Sequence, residues 1–382
     1  MTLSGFLKTA ALSIATLVFH IGETSAQQMK PSDDKLCFVA SKQGILSGRM
    51  NQETGDLHLS GPGIEVMNPG FLAVHPNKKF LYSVNTTKID GKNVGVATAF
   101  SIAPKTGKLT FINHQTTQGT GPTHLVVDEK GKNVLVANYG SGSVVVFPVQ
   151  KNGSLNSAVS FVQHDGSSIH PSRQTGPHAH SITTDPKNVF AVSCDLGLDK
   201  VLVYKFDSKK GSLTPNDPPF GLLKPGAGPR HHAFHTSGKF LYVINELDST
   251  MTGFRFDQKR GALHQSQTIS TLPPNVTGTN FPSEVAVHPS GKFLYGSNRG
   301  HDSIVAFKID QRNGDISAIE YEPTQGKFPR HFEIDPTGQF LFVANQDSDN
   351  VVAFRIDQKT GELTPTGNIV QAEKPQCVKF VP

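Results

Sequence analysis

Cys37, Cys194 and Cys377 are the only cysteines in 382 residues, too few to staple a fold through disulfides, so the chain has to stand on its own apolar core. Helical periodicity is missing as well: no long segment keeps its apolar residues at a spacing of three and four. Charge is thin, at +5 net, and the lysines are scattered through turns such as DQKTG rather than gathered into a stripe, which excludes a nucleic-acid-binding surface. Neither G-x-S-x-G nor H-E-x-x-H occurs, so a serine-hydrolase elbow and a zincin helix are both excluded. No glycine-rich phosphate loop opens a helix.

What the chain has in quantity is turn residues, with 36 Gly and 25 Pro, the composition of short strands joined by tight turns. They are ordered. A glycine turn followed by a strand recurs as NQETGDL, APKTGKL, QKNGSL, DSKKGSL, DQKRGAL, DQRNGDI and DQKTGEL, with glycines at Gly55, Gly107, Gly153, Gly211, Gly261, Gly314 and Gly361. A second series, Pro69, Pro122, Pro177, Pro229, Pro282, Pro329 and Pro375, opens a short strand each time. A turn and a second strand follow, closing on Asn85, Asn138, Asp195, Asn245, Asn298 or Asn345. Four antiparallel strands, repeated seven times, predict an all-β, seven-bladed β-propeller occupying residues 27–382 as one domain.

After Pro375 only one strand, QCVKFVP, remains, while the chain near Leu36 begins with what reads as second, third and fourth strands. The last blade is therefore expected to be built from both termini, which leaves no open wedge in the ring. Cys377 and Cys37 then lie on neighbouring strands, offset by about two positions, as buried thiols rather than a disulfide.

Residues 1–26 differ from the rest. Lys8, the apolar run Ala11 to Phe19 and the small residues Thr24-Ser25-Ala26 form a secretory signal cleaved after Ala26, too short for a membrane span. The expected location is periplasmic or extracellular, and cytoplasmic without that signal.

In a propeller the start of each inner strand and the end of the second emerge on one rim. That rim collects Arg230 with Glu246, Glu284 with Arg299, and Arg330 with His331 on three adjacent blades, beside Asp195 and Asn245 at strand ends. These charges vary among repeats that share the same turns, as a pocket does and a structural ion pair does not. His75, His235 and His288 sit in the turn at the other end, where other repeats carry Asp128, Asp185 and Asp335, and are expected to cap it. His178, His180, His231 and His232 are metal-ligand types, but the adjacent arginine opposes a cation, so no metal is expected.

The segments GPHAHS, CDLGLDKV, GPRHHAFHTSGKFLYVINEL, FPSEVAVHPSGKFLYGSNRGHDSI and FPRHFEIDPTGQFLFVANQDSDNV together resemble the lactonase family of propellers, which includes cycloisomerase-type 6-phosphogluconolactonases and carboxymuconate-cyclising enzymes. The resemblance covers essentially Leu36 to Pro382. It implies lactone chemistry without cofactor or metal, on a small-molecule lactone, by a His in PHAH (His180, or else His178) with Arg230, Glu246 and Arg299. It also implies that His178, His231, Glu284, His301, Arg330 and His331 shape the pocket, with Asp195 and Asn245 beside them. Glu246 is the expected base for the attacking water, the arginines stabilise the oxyanion, and His180 protonates the leaving alkoxide. A phosphorylated gluconolactone is cytosolic, so an exported protein is expected to take an unphosphorylated lactone. Lactone formation from a muconate-like acid, or a non-catalytic binding surface, are the alternative readings. The expected state is a monomer.

Overall fold

In the computed structural model, residues 1–2, 34–61 and 63–382 are described, and the secretory-signal reading falls outside them apart from its first two residues. Residues 34–382 form seven four-stranded antiparallel sheets, each hydrogen-bonded in sequence order from the inside out. Blades 1 to 6 run 71–116, 122–163, 179–222, 229–270, 281–323 and 329–371. Blade 7 joins Cys377–Phe380 to Lys35–Ser41, Gly44–Met50 and Leu57–Leu59, the closure expected from the two ends. Among the described residues the helical content is one 3-10 turn, Gln346–Ser348.

The packing follows from the strand sequences. Second strands such as Asn133–Asn138, Phe240–Asn245 and Phe340–Asn345 are buried at every position, because both of their faces meet a neighbouring blade; their near-continuous apolar runs suit that place. Fourth strands lie at the edge and alternate, as in Ala262–Ser270.

The recurrent turn residues join the blades. Tyr82, Tyr242 and Tyr295 donate to the carbonyls of Gly153, Gly314 and Gly361 in the following blade, at 3.0, 2.8 and 2.8 Å. Gly153 shows why the turn residue is glycine: its φ is +85°, and a Cβ there would lie 2.3 Å from the Phe80 ring. His75, His235 and His288 cap their turns, each Nδ1 accepting a backbone N–H two residues on, at 3.0 to 3.1 Å. Each Nε2 also donates across the blade junction to Gly131, Gly291 or Gly338. Asp128 caps its own turn and reaches the next blade through Asn188 Nδ2, at 2.7 Å. The Asp/His alternation is thus structural.

In blade 7, Cys377 lies opposite Ala40 and Cys37 opposite Phe380. The offset is three positions, not two. An odd offset turns the thiols to opposite faces of the sheet, and all three cysteines are free and buried. Burial pushes the Cys37 thiol up to about 12 despite nearby Arg49, which leaves it inert.

Candidate active site

The inner strands of blades 2 to 6 each lose register directly after their opening. Thr123, His180, Arg230 and Arg330 are the single extra residues, and in blade 5 Ser283 and Glu284 together face Ser297, again one residue more than the partner strand. A β-bulge breaks the alternation of faces. Arg230 and His231, consecutive in sequence, therefore both turn inward. His231 packs against Phe71, His124 and His180 of three other blades, at ring separations of 5.8, 5.1 and 5.1 Å. Arg230 donates to Ser283 O at 2.7 Å and to Glu246 Oε2 at 3.1 Å.

Glu246 is the centre of this mouth. It follows the second strand of blade 4, where its N–H bonds Gly228 O at 2.7 Å. Its Oε2 also accepts from Arg299 Nη2 at 2.8 Å, and its Oε1 accepts from Arg173. Burial raises its pKa, but Arg299, Arg230 and Arg173 outweigh that and hold the carboxyl at about 2. Arg299 is fixed further by Phe281 O at 2.8 Å and lies over the Phe328 ring.

Two sequence pairings are therefore different in space. Arg299 binds Glu246, not Glu284, because Glu284 stands two residues past its opening proline, the place His231 takes in blade 4, one step further along the inner strand than Arg230. There its carboxylate faces His231 Nδ1 at 3.1 to 3.2 Å and His331 Nε2 at 3.4 Å. Arg330, for its part, does not pair with His331: its guanidinium has no hydrogen-bond or ion-pair partner among the described residues. Burial and Arg299 draw its pKa down to about 10, against the pull of Glu246, so it is charged at neutral pH. The four guanidiniums of Arg173, Arg230, Arg299 and Arg330 face two carboxylates, Glu246 and Glu284, leaving the mouth positive.

His180 is buried beside these groups, its ring 5.2 Å from that of Tyr139, and its Nδ1 has no partner among the described residues. Burial, then Arg230 and His231, hold its pKa well below the usual imidazole value. His178 is more accessible, stacks on Tyr139, and uses Nδ1 on Tyr139 O at 2.9 Å. His301 stands in the turn of blade 5 with Nδ1 on Ser303 Oγ at 2.8 Å.

Asp195 and Asn245 do not reach the mouth. Asp195 is wholly buried and its oxygens serve His164 Nδ1 at 2.6 Å and the N–H groups of His178 and Gly197. Asn245, also wholly buried, donates to Thr250 and Thr252 in its own blade. Asn138, Asn298 and Asn345 tie down the preceding connections at 3.1, 2.7 and 3.0 Å, so this position recurs for structural reasons.

Sequence reasoning missed Arg173. The signal was the length of the connection carrying it: residues 164–178 form the longest link between blades. His164 bridges Asp195 and Tyr204, at 2.6 and 2.7 Å, while Gln174 donates to Asp199 at 2.8 Å, so the link is anchored at both ends.

A sequence model of the family described as lactonase, seven-bladed β-propeller, matches residues 31–380. The chain belongs to this family. Among its relatives, the 6-phosphogluconolactonase of Bacillus subtilis (strain 168) is 39% identical over 284 residues, covering 74% of this chain and 79% of the relative. The 6-phosphogluconolactonase of Formosa agariphila is 36% identical over 288 residues, 74% of this chain and 80% of that one. The solved structure of a periplasmic gluconolactonase from Pseudomonas aeruginosa superposes with a TM-score of 0.85 at 32% identity, covering 92% of this chain and 99% of that one. Family members therefore share the whole ring, including the blades that carry the arginine-rich mouth.

Proposed function

We propose that the protein hydrolyses a sugar lactone bearing a negative charge, at the channel mouth of blades 3 to 6. The observation that carries this reading is the sharing of one carboxylate, Glu246, by three arginines while the guanidinium of a fourth, Arg330, stands beside them without a partner among the described residues. Arg330 suits a phosphate or carboxylate on the substrate, bound through paired hydrogen bonds. Relatives named 6-phosphogluconolactonase and a periplasmic gluconolactonase support the lactone class.

The lactone carbonyl lies against Arg230 and Arg299. Both are held in advance by backbone carbonyls and by Glu246, so they meet the developing oxyanion without reorganising. His180, uncharged at neutral pH, takes a proton from the attacking water. The tetrahedral adduct collapses with cleavage of the ring C–O bond, and the proton on His180 passes to the departing alkoxide. One water is consumed and one hydroxy acid is released. This allocation reverses the expectation from sequence: a carboxylate at about 2 with both oxygens engaged is a weak base, and a neutral imidazole is not a standing acid. Glu246 orders the arginines instead. The enzyme acts as a monomer, without cofactor, in the periplasm or outside the cell, on the strength of the leader in residues 1–26.

A pH-stat assay of the mature protein tests this, using glucono-1,5-lactone and its 6-phosphate with Arg230→Ala as control. Ring opening above the uncatalysed rate, lowered about 100-fold in the variant, is expected. Opening at the background rate for every lactone refutes the reading.

A further inference from the structure

Two buried nitrogens in the channel lack partners among the described residues, His180 Nδ1 and His231 Nε2. They belong to rings in contact, with centroids 5.1 Å apart. On its other side His231 points Nδ1 at both oxygens of Glu284. A carboxylate only accepts, so Nδ1 carries the proton and Nε2 is a lone-pair acceptor. Glu284 is itself held: Val285 N–H donates to its Oε1 at 3.1 Å. His331 accepts Val378 N–H at Nδ1, at 3.3 Å, and so presents Nε2–H to Glu284 from blade 6, the neighbour on the side away from His231.

We propose that Glu284, His231 and His180 form a relay in which Glu284 accepts His231 Nδ1–H and a water joins His180 Nδ1–H to His231 Nε2, leaving His180 Nε2 as the lone-pair nitrogen at the mouth. Both orphaned nitrogens are then satisfied by the bridging water, and buried polar atoms are seldom left otherwise. Glu284 and His231 are positioning residues, and the inference rests on His180 being the base in the reading above. When His180 takes the water proton at Nε2 it becomes an imidazolium, stabilised through Nδ1–H by His231 and, beyond it, by the Glu284 charge. The charge is needed because the other groups facing His180, Arg230, Arg299 and Arg330, oppose imidazolium formation. Around His231 stand Arg230, Arg299, Arg330, His124, His232 and His331, with Glu284 the one carboxylate in direct contact among the described residues.

The test is Glu284→Gln, with Glu284→Asp as the conservative variant, assayed across pH for lactone opening. Activity is lost on the acid side as His180 is protonated. Removing the negative charge lowers the pKa of His180, so the acid limb of kcat/KM moves to lower pH. At neutral pH kcat falls about 10- to 100-fold with KM little changed, and Asp restores part of it. A fall in kcat with the limb unmoved, or no fall, overturns the relay. Imidazole nitrogen NMR of histidine-labelled protein gives an answer independent of turnover: Nδ1–H forms of both His180 and His231 are expected, and Nε2–H at His231 overturns the relay. A wild-type protein that opens no lactone refutes the functional reading, while full activity in His180→Asn refutes the base assignment and the relay's role with it.

Discussion

Arg173, in the connection ahead of blade 3, donates from Nη2 to Oε1 of Glu246 on blade 4, 73 residues further along the chain. The contact completes a carboxylate shared by three guanidiniums, and it makes Glu246 the residue on which the mouth's order depends. Replacing Glu246 with Gln leaves Arg230 and Arg299 buried against each other without their counter-ion. A loss of stability of about 3 to 5 kcal/mol is expected, from the cost of breaking a buried ion pair at one partner. Thermal unfolding measures it, and turnover falls at least about 100-fold in the surviving folded protein. Unchanged melting would show that the arginines do not need the charge.

The same carboxylate makes a prediction about acid. Glu246 is held at about 2 against an ordinary 4.5. Its contribution to stability is fully present above pH 4.5 and is lost as pH falls through the folded value. The shift corresponds to a contribution on the order of 3 kcal/mol. Denaturant unfolding between pH 6 and pH 2 should show the wild type losing stability more steeply than Glu246→Gln; parallel curves would contradict the depressed pKa.

Arg330→Ala separates binding from chemistry. Because its guanidinium has no partner among the described residues, removing it does not orphan a carboxylate there, and melting should stay within about 1 kcal/mol of wild type. KM for a phosphorylated lactone should rise about 10-fold or more, with a smaller effect on the unphosphorylated lactone. Equal effects on both substrates would rule out Arg330 as an anion handle.

His235 tests the blade junction away from the mouth. His235→Ala removes a turn cap and one of the two donors to Gly291 O, leaving Gln311 Nε2 at 2.8 Å, a cost of about 1 kcal/mol. His235→Asp keeps the cap and loses the bridge, so its melting temperature should fall between the two. Lactone turnover at saturating substrate should be the same in all three folded proteins.

The thiols offer a simple check on closure. Cys37, Cys194 and Cys377 are buried and free, so a thiol reagent should find none in the native protein and three after denaturation without reductant. A count of one would mean that a disulfide spans blade 7.

The fold and half of the site were legible in the residues. Turn glycines, opening prolines and apolar strands are local signals, and seven copies of each left one architecture able to bury them all. Arg230 and Glu246 could be placed together because a single hairpin joins them, as could the capping roles of His75, His235 and His288. The limits of that reading are equally specific. The bulges that turn Arg230 and His231 the same way, the choice of Glu246 over Glu284 by Arg299, the arrival of Arg173, and the consignment of Asp195 and Asn245 to their own loops and blades all depend on partners up to 73 residues apart. Strand periodicity cannot encode contacts that exist only once the ring has closed. The protonation states follow from the same closure. Residue type made Glu246 a plausible base and His180 a plausible acid; only burial among four arginines, which favours carboxylate and neutral imidazole alike, decides their charges.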